Sequence, residues 1–329
     1  MQPTPGDVHV NQPLTNISIA MIQSAAAFIA SRVFPNIPVG KQSDRYYTYD
    51  RGMFNRDEME LRAPGAESSG GGFTVDNTPT YYCPNYSFHH DIPDEVRANA
   101  DAVLNPDREA VSFVTQKALI KREKLWVAAY LAGSVWGGTD QTGVASTPGA
   151  NQFLQWNDAN SDPIGVVKAQ KTAILESTGF EPNKLVLGRR VWDALADHPD
   201  IIDRVKYGQT PGSPAMVTRQ AVAALMEIEE IVVAQAIENT AKEGQTNSHS
   251  FIAGKKALLV YAAPAPGLMT PSGGYTFSWT GLLGSGAEGN RIRQFRLERN
   301  RSDRVEIDMS WATKLVAADL GRYFASVVA

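Results

Sequence analysis

A chain of 329 residues with 43% apolar and 20% charged side chains carries enough apolar material for one large core or two ordinary ones, which excludes a disordered chain. Its 31 Lys and Arg stand against 35 Asp and Glu, a net charge of −4, which argues against a protein whose main task is to coat nucleic acid. The single cysteine, Cys83, excludes an internal disulfide and an all-cysteine zinc site, and fits a reducing compartment.

The longest apolar stretch, Ile19 to Phe34, contains Gln23, Ser24, Ser31 and Arg32 and lacks a basic leader. Neither a membrane span nor a secretory signal is therefore expected. A single compact body of this mass would expose roughly 13,000 Å².

Residues 1–14 hold three prolines and few apolar groups and read as an extended arm. Ile19, Ile22, Ala26, Ile29 and Val33 then recur at helical spacing, which predicts an amphipathic helix ended by Pro35 and Pro38. Its apolar face must dock on the chain's own core or on a neighbour. The run Arg45-Tyr46-Tyr47-Thr48-Tyr49-Asp50 reads as a strand. A polar segment from Gly52 to Gly72 follows, and strand composition returns at Phe73–Val75 and Thr80–Phe88. The result is a long hairpin with a charged tip. Such a hairpin is marginal alone in water, so it is either a disordered surface loop or an arm held by a partner.

Asn105-Pro106 gives a helix cap followed by proline at the first helical position. The run from Asp107 to Ala132 contains neither Pro nor Gly and predicts a helix on which a sheet packs. Val111, Val114, Ala118, Leu125 and Ala129 form its apolar stripe, and Lys117, Lys121, Arg122 and Lys124 face solvent or a partner. The Gly, Thr, Asn and Ser-rich stretch from Gly133 to Ser161 reads as a linker or surface loop and as the domain boundary. Asp162-Pro163 caps a further helix that closes at Gly179. Beyond it, Lys184–Leu187, Ile231–Ile237 and Ala257–Tyr261 are apolar strands. Short helices at Val191–Asp197, Ile201–Lys206 and Thr218–Met226 alternate with them, which predicts a mixed α/β domain. Arg291–Arg299 and Arg304–Met309 alternate in polarity around a turn at Asn300–Asp303 and form two long antiparallel strands. Lys314–Val328 is apolar and is expected to return to pair with them.

The motifs that bear on chemistry are weak. Gly284-Ser285-Gly286-Ala287-Glu288-Gly289 matches the dinucleotide fingerprint, but an Arg-rich strand follows where a helix is needed. His89-His90-Asp91 sit on one strand, so the two imidazoles point to opposite faces, and no metal site is expected. No G-x-S-x-G elbow, P-loop or H-E-x-x-H is present, so no catalytic or cofactor-binding residue is assigned. Arg291, Arg293, Arg296, Arg299, Arg301 and Arg304 fall within one short segment without a lysine. They read as nucleic-acid contacts, as a solvated strand face, or as interfacial ion pairs with acids such as Asp57, Glu58 and Glu60 of a neighbour's hairpin.

The segments Phe28-Ile29-Ala30-Ser31-Arg32-Val33-Phe34-Pro35 and Pro38-Val39-Gly40-Lys41-Gln42-Ser43-Asp44-Arg45-Tyr46-Tyr47-Thr48-Tyr49-Asp50 resemble the N-terminal region of tailed-bacteriophage major capsid proteins. Pro182 to Arg189, with Val191-Trp192-Asp193-Ala194-Leu195 and His198-Pro199, provides a second match. The resemblance implies an α+β capsid-shell fold with an N-terminal arm (1–44) and an extended hairpin loop (45–90). It also implies a peripheral domain with a spine helix and long strands (91–135 and 289–312), a mixed α/β axial domain (136–288) and a C-terminal strand (313–329). It further implies pentamers and hexamers that tile an icosahedral head around double-stranded DNA. That shell would be assembled in the host cytoplasm, with a portal, a separate scaffolding protein and a decoration protein as partners, and with only weak DNA contact. Some relatives cross-link through a hairpin lysine. This chain has no lysine between Gln42 and Gln116, so no such bond is expected. The residues expected to meet neighbours are Met53, Phe54, Arg56, Asp57, Glu58, Glu60, Arg62, Arg291, Arg293, Arg296 and Arg299. A cargo-enclosing shell of the same fold and a nucleotide-dependent enzyme are the alternatives.

Overall fold

The computed structural model describes residues 22–100, 104–207, 217–267, 269–283 and 290–329. The chain begins with β1 (Asn36–Val39), β2 (Ser43–Arg45), β3 (Thr48–Tyr49), the one-turn helix α1 (Arg51–Phe54), β4 (Val75–Asp76), β5 (Thr80–Tyr82) and β6 (Asn85–Pro93). Helices α2 (Asp94–Ala98) and α3 (Pro106–Tyr130) follow, then β7 (Gln141–Val144), β8 (Gln152–Leu154), α4 (Pro163–Thr178), β9 (Lys184–Gly188), α5 (Arg189–Ala196), α6 (Pro199–Tyr207) and α7 (Arg219–Met226). The remainder comprises β10 (Glu230–Ala234), β11 (Ile237–Asn239), β12 (His249–Phe251), β13 (Ala257–Val260), β14 (Gly274–Trp279), α8 (Thr280–Leu283), β15 (Asn290–Leu297), β16 (Ser302–Leu315) and β17 (Gly321–Ala325).

Two sheets carry the architecture. The first has the order β1-β14-β16-β15, with β6 also paired to β16; the second runs β10-β9-β13-β17-β7-β8. In the second sheet the apolar runs alternate between two cores. Leu185, Leu187, Ile231, Val233, Leu259 and Phe324 face one core, closed by residues of α4, α5, α6 and α7. Val186, Val232, Leu258, Val260 and Tyr323 face the other, closed by Trp126 and Tyr130 of α3 together with Ile29, Val33 and Phe34. Burial on both faces is what makes these strands read as continuous apolar runs.

Helix α3 joins the two sheets. Asn105 accepts from the Arg108 amide, and Pro106 opens the helix, as its sequence predicts. At 1.5 Å per residue the helix is about 37 Å long. Its first half lays Ala110, Val114 and Ala118 on Val305, Ile307, Met309 and Trp311 of β16. Its second half lays Trp126, Val127 and Tyr130 on the second sheet. The buried stripe therefore differs from the expected one: Val111 is exposed, and Arg122 is buried with its guanidinium 5.6 Å from the Trp311 ring centre. Lys117, Lys121 and Lys124 are exposed as expected.

Three further expectations are corrected. Among the described residues of 19–34 there is no α-helix, only a single 3-10 turn at Ala25–Ala27. The Ile29 and Ala30 amides, which a helix would bond internally, both donate to the Glu123 carboxylate at 2.9 Å. The apolar spacing there reflects burial of Ile29 and Val33 and carries no helical period. The stretch from Gly133 to Ser161 is not a linker: it supplies β7 and β8 and places Phe153 and Trp156 in the core. Finally, β17 does not return to β15 and β16. It pairs with β13 and β7 of the second sheet, where Phe324 fills the core at 0% exposure. Residues 1–14 and the Gly284–Gly289 motif lie outside the described residues.

Candidate assembly surfaces

The first surface is the hairpin. Its foot is held by the ladders Ser43↔Tyr82, Arg45↔Thr80, Thr48↔Asp76 and Tyr49↔Val75. Tyr81 stacks on Phe277 of β14 with ring centres 4.6 Å apart, and Gln42 and Cys83 exchange backbone and side-chain hydrogen bonds. Burial raises the Cys83 thiol to about 11, so the sulfur is un-ionised at neutral pH and packs as a small apolar group. Further out, Asp50 caps α1 through the Gly52 amide. Tyr49, Phe54 and Phe73 form a small ring cluster, with Phe54 and Phe73 5.4 Å apart. The Thr74 amide and hydroxyl donate to the Met53 sulfur.

Beyond this cluster the chain leaves its own support. Every residue from Phe54 to Thr78 is exposed, and Met59 and Leu61 reach 92% and 104% of full exposure. Local contacts are few: Arg56 with Glu58 at 3.3 Å, the Glu60 amide to the Ser69 hydroxyl at 3.4 Å, and Arg51 to Asp319 at 3.3 Å. Asp57 and Arg62 are exposed beside them. Met53 and Phe54 are among the residues expected from the sequence to meet neighbours, whereas Met59 and Leu61 are not, because isolated apolar residues in a polar run carry no periodicity. The signal available was their occurrence in a segment with no core to fill.

The second surface is the arginine-rich region of the edge strand β15 and its neighbour β16. Here the preference for arginine has a local explanation. Arg304 grips Asp91 with two bonds of 2.7 and 2.8 Å, and Arg296 grips Asp94 with two of 2.6 Å. Arg293 reaches Glu306 at 3.1 Å and Asp308 at 2.5 Å, and Arg291 lies 3.9 Å from Asp308. Arg97 of α2 bridges Asp303 and Asp107. These forked contacts match guanidinium geometry, which lysine cannot reproduce. They hold the Asp91, Asp94 and Asp303 carboxyls below the usual range, chiefly through the hydrogen bonds from Arg304, Arg296 and Arg97 respectively. Arg293 and Arg296 thus have acids of their own chain, whereas Arg299 sits exposed in the 3-10 turn after β15. The hairpin residues and the arginines are not brought together within one chain.

Among the described residues the histidine motif of β6 does not assemble into a chemical site. On β6, His90 packs edge-on against Phe113 of α3, His89 takes the opposite face, and Asp91 is engaged by Arg304. Among the described residues no group of three His, Cys, Asp or Glu side chains converges as a metal site. None of their helices is long and apolar enough to cross a membrane.

Comparison with known proteins agrees with this arrangement. Residues 149–272 match the family model described as phage major capsid protein E. The major capsid protein of Pseudomonas phage JBD67 is 28% identical over 321 residues, covering 97% of each chain. Among solved structures, the capsid of Cyanophage P-SCSP1u superposes with a TM-score of 0.58 at 12% identity, covering 99% of this chain and 98% of that one. The SrpI encapsulin of Synechococcus elongatus PCC 7942 superposes with a TM-score of 0.57 at 10% identity, covering 97% and 95%. The fold is thus common to phage capsids and encapsulins, while the sequence likeness runs to phage capsids along nearly the full length. The chain is thus similar in sequence to phage major capsid proteins along nearly its full length, and it shares their fold.

Proposed function

We propose that the chain is the repeating structural subunit of an icosahedral phage head, arranged in pentamers and hexamers around double-stranded DNA, and that it performs no catalysis. The observation that carries this reading is the hairpin: an arm of exposed residues, apolar ones included, that projects from a chain of capsid-shell fold. An exposed arm of this length gains stability by burying surface on another copy. Met53, Phe54, Arg56, Asp57, Glu58, Glu60 and Arg62 are the contacts proposed on the arm. Arg299 is the strongest candidate on the receiving edge, because Arg291, Arg293 and Arg296 already face acids of their own chain. In this reading the first sheet with α3 is the peripheral part and the second sheet the axial part. A portal, a separate scaffolding protein and a decoration protein are the further partners, and assembly takes place in the host cytoplasm. The net charge of −4 fits weak, salt-dependent contact with the packaged DNA.

The test is deletion of Met53 to Gly71, with negative-stain microscopy of the purified protein. Wild type is expected to form closed shells, and the deleted chain to remain soluble and folded without forming them. Normal shells from the deleted chain would refute the assembly role of the arm. The cargo-enclosing alternative is separated by content: particles from producing cells should protect double-stranded DNA from nuclease, and particles filled with protein would favour the alternative.

A further inference from the structure

Residues 23–34 form a strap that crosses from the second sheet to α3 with only the 3-10 turn at Ala25–Ala27 as regular structure. Polar contacts fix it along its length. The Gln23 side chain donates to the Ile237 carbonyl and accepts from the Ile237 amide, at 2.7 and 2.8 Å. The Gln235 amide donates to the Ala27 carbonyl. Lys184 donates to the carbonyls of Arg32 and Val33 at 2.9 and 3.0 Å. The central fastening is Glu123, with 0% exposure, whose Oε2 accepts both the Ile29 and the Ala30 amides. Its other oxygen, Oε1, is buried without a hydrogen-bond partner among the described residues.

We propose that Glu123 is a proton-operated clasp: the strap docks on α3 with Glu123 protonated at Oε1, and loss of that proton loosens the strap. The geometry gives the reason. One oxygen is satisfied by two amides, so the ion would leave a lone buried oxygen carrying half of an uncompensated charge, which is costly. Burial raises the carboxyl to about 7, against the Ala30 and Ile29 amides and Arg122, which pull it down. The other charged groups on the surrounding elements are engaged elsewhere. Arg32 of the strap pairs with Glu230 of β10, Lys124 of α3 with Glu238 of β11, and Lys184 of β9 bonds the strap carbonyls.

The sign follows from linkage. In the released strap Glu123 meets water and regains an ordinary value near 4.3. Docking therefore takes up a proton between that value and about 7, so the docked state gains as pH falls through this window and loses as pH rises through it. Between pH 5.5 and 7.5 the opening equilibrium should rise about twentyfold. The inference is independent of the proposed shell role.

Hydrogen exchange on the full-length chain tests it. Rates at the Ile29 and Ala30 amides, corrected for base-catalysed intrinsic exchange, are followed from pH 5.5 to 7.5, with Leu185 to Leu187 as the core reference. Wild type should show the rise at the strap and not at the reference. E123Q, whose amide oxygen can still accept both strap amides, should show a flat profile, which separates Glu123 from Lys184. A flat wild-type profile, an equal change at the reference, or an unchanged slope in E123Q would overturn the proposal. Should E123Q fail to fold, the wild-type profile against its reference decides alone.

Discussion

The hairpin tip offers a perturbation that should separate folding from assembly. Met59 and Leu61 are 92% and 104% exposed, so the double substitution M59S/L61S removes no contact from the isolated chain. Its unfolding free energy should change by no more than about 0.5 kcal/mol, the usual range for surface positions. If both side chains are buried on a neighbouring copy, each contributes about 1.5–3 kcal/mol there. The pair is then worth about 3–6 kcal/mol per contact, and since each 1.4 kcal/mol is tenfold, the contact should weaken by about a hundredfold or more. Urea unfolding of the unassembled chain by tryptophan fluorescence measures the first quantity. Light scattering against protein concentration, with microscopy of the product, measures the second. A doubly substituted chain that forms shells at the wild-type concentration would show that the tip carries no assembly energy, whatever its exposure.

Two other substitutions should behave in the opposite way or respond to acid. Trp126 is fully buried where α3 meets the second sheet, with its ring 5.3 Å from Tyr130 and 6.2 Å from Phe34. W126A should cost the isolated chain about 3–5 kcal/mol, read as a lowered urea midpoint; an unchanged midpoint would contradict the packing described. Asp91 is held below the ordinary carboxylate range by Arg304, so its contribution is present above an unfolded value near 3.9 and is lost as pH falls below it. The stability gap between wild type and D91N should therefore be largest at neutral pH and narrow below about pH 4; a gap independent of pH would rule out the ion pair as its source.

Local signals in the sequence determined the elements whose ends are set by neighbouring residues. Asn105 and Pro106 start α3, Asp162 and Pro163 start α4, and Gly179 ends it in the left-handed conformation at φ 76°. The alternation is likewise legible in the first half of β16, where Val305 and Ile307 are buried between the half-buried Arg304 and Glu306. So is the hairpin, since aromatic and β-branched strands flank a polar run on both sides.

What only the tertiary structure decided are the features whose hydrogen bonds or packing close over long sequence distances. The segment around Ile29 has helical spacing, yet a carboxylate 94 residues away takes its amides, and no local pattern reports that. The polar stretch after α3 looks like a linker until β17, arriving from the far end of the chain, pairs with β7. The arginines of β15 look available to any anion, but Asp94 sits 202 residues from Arg296 and closes on it only when the first sheet forms. Capping, turn chemistry and alternation act over a few residues and can be read in order. Pairing between distant strands and burial of charge depend on which surfaces meet, and that is settled by the packing of α3 against two sheets at once.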